Sequence, residues 1–149
     1  MKRIKMIRVF LLILSASISS LVSAQTTSSS TSDWQLMHEI NGVQIFAKEA
    51  SCRISDQLEK PCDYAFLKIV NTTSSDKFIY YNFGLSFTEE CNGCQNDTEF
   101  SYGISVPANS SLEGDCSFER RELSRIIRNP NLEGGWNFEN IAITNPQVD

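Results

Sequence analysis

The sequence predicts an all-β domain, an immunoglobulin-like antiparallel β-sandwich with one short helix. Three observations point there. From Trp34 onward apolar residues recur mostly at every second position, the turn dipeptides Asn41-Gly42 and Asn92-Gly93 punctuate the runs, and there is no long helical alternation of the kind that builds a doubly wound α/β fold. A chain of 149 residues has room for one ordinary domain, and an apolar fraction of 41% is enough for a packed core rather than a disordered coil.

The elements follow in order. Residues 1–24 carry Lys2, Arg3, Lys5 and Arg8, an apolar run from Val9 to Leu14, and a Ser-rich stretch ending in Val22-Ser23-Ala24. That pattern predicts a signal peptide cut before Gln25, with an apolar stretch too short to span a bilayer. Residues 25–33 open with QTTSSSTS, which has nothing apolar to bury and is expected to be a flexible leader. Removing the four basic residues leaves nine Lys and Arg against 18 Asp and Glu, a formal charge of about −9. Such an excess disfavours nucleic acid and anionic membranes as partners.

Residues 34–149 are the expected β-sandwich domain. Trp34 to Ile40 and Val43 to Ala47 flank Asn41-Gly42, which accepts the positive φ angles of a type I′ hairpin. After a polar loop from Arg53 to Asp63, YAFLKIVNTTSS is a strand running into a turn, central at Phe66 to Val70. In KFIYYNFGLSF one face collects Ile79, Tyr81, Phe83, Leu85 and Phe87, and the other Phe78, Tyr80, Asn82, Gly84 and Ser86. If Asn92-Gly93 is a two-residue turn, the next strand, EFSYGISV, pairs Leu85 with Phe100, Phe83 with Tyr102, Tyr81 with Ile104 and Ile79 with Val106. A slip by one residue would set these side chains against Ser and Gly faces. In FERRELSRIIRN, Leu123, Ile126, Ile127 and Pro130 stand at helical spacing and predict an amphipathic helix of two or three turns. After Gly134-Gly135, WNFENIAITN is the last strand.

A Trp near the start, Asn41-Gly42-Val43, Cys52, LKIVNTT, Cys91-x-x-Cys94 and Gly114-Asp115-Cys116, in that order, resemble small exported envelope proteins of Bacteroidota bacteria over residues 34–145. The resemblance implies an envelope setting and a sandwich-like domain, and it carries over no catalytic residue. Cys62 departs from that pattern.

Five cysteines in an exported chain point to disulfides, with an odd one left over. Cys52 and Cys62 bracket one polar loop and make a local staple. Cys91, Cys94 and Cys116 then compete, since Cys91 and Cys94 face each other across the expected turn and Cys116 can take either. A redox dithiol at Cys91-x-x-Cys94 would need a helix N-terminus to lower a thiol pKa, whereas Glu89, Glu90, Asp97 and Glu99 surround this pair in sequence. His38 is the only histidine, among Leu36, Met37 and Ile40, so no multi-His metal site is available and a plain strand histidine is expected. No G-x-S-x-G elbow, phosphate-cradling loop or acidic Ca²⁺ loop is present. The sequons at Asn71, Asn96 and Asn109 carry no weight in a bacterial host.

Two surfaces remain as binding candidates. On the expected helix Arg121, Arg125 and Arg128 form an exposed stripe opposite the apolar face, and Phe78 and Tyr80 project from the strand face that lacks the apolar row. The expectation is an exported, non-catalytic binding or accessory domain that contacts a protein or glycan and needs neither metal nor cofactor. The alternative is an envelope thiol-disulfide or metal-handling protein using Cys91 and Cys94.

Overall fold

Asn41 and Gly42 take φ angles of 49° and 76°, the two positive values of a type I′ turn, and the chain reverses there as its sequence predicts. The computed structural model describes residues 33–88, 90–94, 98–131 and 137–149; the expected signal peptide and most of the leader lie outside them. Among the described residues there are nine strands: β1 (Gln35–Ile40), β2 (Val43–Cys52), β3 (Cys62–Asn71), β4 (Lys77–Phe87), β5 (Cys91–Asn92), β6 (Ser101–Val106), β7 (Ser110–Glu113), β8 (Ser124–Arg128) and β9 (Phe138–Val148).

The strands build two antiparallel sheets. In the first, β1, β2 and β3 lie side by side, and the far edge of β3 is shared by β8 along Asp63–Phe66 and β7 along Lys68–Asn71. In the second, β4 is central. Along Ile79–Phe87 one of its edges takes β9, while the other takes β6 along Lys77–Asn82 and β5 at Leu85 and Ser86. The chain crosses between sheets from β3 to β4, from β6 to β7 and from β8 to β9, so that β3 pairs with β7 and β4 with β9. The two sheets pack face to face as an all-β antiparallel sandwich.

Alternation decides what is inside. Ile45 and Ala47 of β2, Leu67 and Ile69 of β3, Ile79, Tyr81, Phe83 and Leu85 of β4, and Val106 of β6 meet between the sheets, each 0–2% exposed. Burying such a side chain contributes roughly 1.5–3 kcal/mol. The Tyr81 hydroxyl donates to the Glu122 carbonyl at 3.1 Å, and burial, helped by Glu122 and Tyr102, pushes its pKa well above the usual tyrosine value. Asn71, 1% exposed, is the polar exception. Its amide nitrogen donates to the carbonyls of Ser75, Val106 and Pro107, and its oxygen accepts from the backbone and hydroxyl of Thr73. The amide of this sequon is therefore fully engaged inside the fold.

Two expectations are corrected. The β4–β6 register pairs Ile79 with Ile104 and Tyr81 with Tyr102, two residues away from the predicted pairing. Faces are unchanged by a shift of two, because the side-chain period is two. The Asn92-Gly93 pair does not close the hairpin. Instead Phe87 and Glu90 exchange backbone hydrogen bonds around a tight turn, β5 runs back along β4, and a single 3₁₀ turn at Thr98–Phe100 leads into β6. The predicted amphipathic helix is also absent. A 3₁₀ turn at Arg121–Leu123 is followed by β8, paired to β3 with a bulge at Ile127. Leu123 and Ile127 are buried while Ile126 is 45% exposed. A spacing of four residues satisfies a helix and a strand alike, and the β-branched pair Ile126-Ile127 suits the free edge of β3.

Candidate functional site

Phe78 and Tyr80 stand on the outer face of the second sheet, 38% and 48% exposed. Their ring centroids are 4.7 Å apart, with planes tilted by 54°. Tyr80 is the ladder partner of Gly103 on β6 and of Gln147 on β9. The glycine is what lets the rings lie over the β6 backbone. A Cβ at Gly103 would sit 2.9 Å from Phe78 Cε1 and 3.3 Å from Tyr80 Cε1, so any side chain there would push both rings away. The neighbouring outer positions are Ser105 and Asp149 on either side of Phe78, and Ser101 and Thr144 on either side of Asn82. Asn82 is 7% exposed and the Thr144 hydroxyl is buried, so the exposed uncharged groups around the rings are Ser101, Ser105 and Gln147, with Asp149 the acidic neighbour. Ser101 donates its hydroxyl to Asn82 Oδ1 at 3.1 Å.

The other half of that face is closed. Cys91 and Cys94 are disulfide-bonded, Cα to Cα 5.5 Å, and the turn they bridge lies on Gly84, where an added Cβ would come within 2.9 Å of the Gly93 carbonyl carbon. Arg125 locks this turn down. Its guanidinium reaches from β8 into the other sheet, donates to the carbonyls of Phe83 and Asn92, and stacks 4.0 Å from the Phe100 ring centroid. Phe83 lies between the stretches of β4 that pair with β6 and with β5. The arginine thus supplies a donor where the ladder has a gap.

The arginine stripe is consequently dispersed. Arg125 points inward, Arg128 makes an ion pair with Asp63 at 2.6 Å, and Arg121 stays exposed on the 3₁₀ turn. Because successive strand residues face opposite ways, the helical spacing that grouped them does not apply. His38 donates through Nε2 to the Ile143 carbonyl at 2.8 Å, tying β1 to β9 across the side of the sandwich. Sequence reasoning assigned that histidine no role beyond its strand.

The outer face of the first sheet holds a second apolar cluster of Ala50, Cys52, Cys62, Tyr64 and Phe66, covered by Phe118. Phe118 takes φ 56°, and its ring packs 4.7 Å from Tyr64 and 6.1 Å from Phe66. Burial raises the Tyr64 pKa, with a further contribution from Cys62. The covering loop is anchored by Gly114, whose N–H donates to the Leu67 carbonyl at 2.9 Å, and by a disulfide from Cys52 to Cys116. The local Cys52–Cys62 staple is therefore corrected: the loop delivers Cys116 to Cys52, Cα to Cα 5.6 Å, and Cys62 is left as a buried free thiol.

Among the described residues no three His, Cys, Asp or Glu side chains gather as a metal site, and no helix is long and apolar enough to cross a membrane. No protein-family model, curated protein or solved structure matches the chain, so the site is read from its own geometry.

Proposed function

We propose that this chain is an exported, non-catalytic binding domain of the bacterial cell envelope that takes a neutral glycan onto the Phe78/Tyr80 end of its second sheet. One observation carries the reading. On a chain with a charge of about −9 after residue 24, the two exposed rings have Ser, Gly, Asn, Thr and Gln as ladder neighbours, and Asp149, bonded through its backbone N–H to the Phe78 carbonyl, is the one acidic side chain beside them among the described residues. A sugar ring needs an aromatic surface for its C–H face and uncharged donors and acceptors for its hydroxyls, and this patch offers both. Export is supported by two disulfides, which persist in oxidising compartments, and by the signal-peptide pattern of residues 1–24.

Titration of the purified chain against a panel of neutral envelope polysaccharides tests the proposal. Replacing Phe78 and Tyr80 together by Ala should weaken binding at least about tenfold, roughly 1.4 kcal/mol, with the thermal midpoint tracked as the control for folding. Binding by the parent should hold between about 0.05 and 0.5 M salt, because no charge is screened. Equal affinity in the double variant, or no neutral glycan retained by the parent, would reject the platform.

A further inference from the structure

Cys52 and Cys62 are direct ladder partners on β2 and β3, and both side chains lie in the outer cluster, 2% and 0% exposed. Directly opposed residues in an antiparallel ladder have Cα atoms about 4.5–5.5 Å apart. That falls within the span a disulfide bridges, about 4.4–6.8 Å. Cys52 is already bonded to Cys116, at a Cα separation of 5.6 Å. One sulfur therefore has two partners at comparable reach, one bonded and one held as a free thiol against it. The two ends also differ in access: Cys62 is buried, whereas Cys116 lies on the exposed surface of the covering loop.

We propose that Cys52, Cys62 and Cys116 form a thiol–disulfide exchange centre whose surface outlet is Cys116, a modification site for thiol-reactive electrophiles and low-molecular-weight disulfides. Cys62 loses its proton to water and its thiolate attacks Cys52 Sγ. A Cys52–Cys62 bond forms as the Cys52–Cys116 bond breaks, and the electron pair leaves on Cys116 Sγ, which takes up a proton. The number of disulfides is unchanged, so no oxidant or reductant is consumed. Exchange frees the loop that holds Phe118 over Tyr64 and Phe66, and presents a thiol where none was accessible. This centre lies on the sheet opposite the proposed glycan platform and does not depend on it.

Disulfide-resolved peptide mapping decides the matter. The oxidised chain is held in native buffer near pH 8 with N-ethylmaleimide, then digested without reduction. The expected product carries the maleimide on Cys116 and a Cys52–Cys62 bond in the same molecules, at least about tenfold over label on Cys62, with Cys91–Cys94 untouched. In Cys62→Ala, and in Cys62→Ser as a second variant, Cys116 labelling should fall at least about tenfold while the Cys52–Cys116 bond persists. Three results of mapping the parent chain would overturn the proposal: label on Cys62 with the Cys52–Cys116 bond intact, label on Cys52 with a Cys62–Cys116 bond, or no label until denaturant is added.

Discussion

Replacing Arg125 by Ala separates the observed inward arginine from an exposed one. The guanidinium donates to the Phe83 and Asn92 carbonyls and stacks on Phe100. Hydrogen bonds to a charged donor are worth about 1.5–3 kcal/mol each, and a cation–π contact about 0.5–1 kcal/mol. The site is half-buried, so water replaces part of what is lost, and a net cost of about 2–4 kcal/mol is expected. On a domain of this size that lowers the thermal midpoint by roughly 10 °C. Urea unfolding followed by tryptophan fluorescence measures it directly. Arg125→Lys keeps the charge without the planar fork and should fall between parent and Ala, and Arg121→Ala, exposed on its 3₁₀ turn, should change stability by less than about 0.5 kcal/mol. An Arg125→Ala cost as small as that of Arg121→Ala would refute the inward placement.

Further outcomes follow from the same geometry. Gly93→Val should cost about 2 kcal/mol or more, because Gly93 holds φ 85° and an added Cβ would lie 2.7 Å from Phe100 Cβ; an unchanged melting temperature would contradict that geometry. Asn71→Ala should cost about 3 kcal/mol in chemical denaturation, since the carbonyls of Ser75, Val106 and Pro107 lose their donor inside the fold, and a loss under about 1 kcal/mol would mean that water reaches them. Asp115 is held below the usual carboxylate range by hydrogen bonds from the Ser117 side chain and backbone N–H. Its contribution to the loop is present above the ordinary carboxylate pKa and is lost as pH falls through its own lower value. The Ser117 amide resonance should titrate with a midpoint below about 3.9, the unperturbed aspartate value, and a midpoint at or above it would contradict the sign.

What the sequence disclosed and what it concealed have the same cause. Period-two alternation placed Ile79, Tyr81, Phe83 and Leu85 inside and Phe78 and Tyr80 outside, as found. That same regularity hid the register, because β4 and β6 alternate so evenly that a shift of two residues preserves every face. Only the connection from 88 to 100 fixes the choice, and its tight turn, two-residue strand and disulfide-bridged turn leave no simple periodic signal. The stretch from Leu123 to Ile127 failed for a related reason: a four-residue interval fits both periods, and the inward Arg125 between two apolar residues reads as a polar helix face. Cys116 is 64 residues from Cys52, and nothing local in sequence announces that its loop will cover that end of the first sheet.

The two outer faces are finished differently, and that contrast bears on function. On the first sheet the loop from Gly114 to Phe118 is tethered covalently at Cys52 and seals Tyr64 and Phe66. On the second sheet the Cys91–Cys94 turn covers Gly84, held by Arg125, and stops there. Beyond it Phe78 and Tyr80 lie over Gly103 with 38% and 48% of their surface still exposed, aromatic area that the hydrophobic effect would otherwise cover. A glycine opposite two rings weakens the strand it sits in and would be better filled if stability alone were at stake. Gly103→Ala separates the two demands: it should lift the rings from the β6 backbone and reduce glycan affinity by more than its change in stability explains. If affinity and stability fell together in proportion, the uncovered pair would be a packing device for β6 and the platform reading would lose its support.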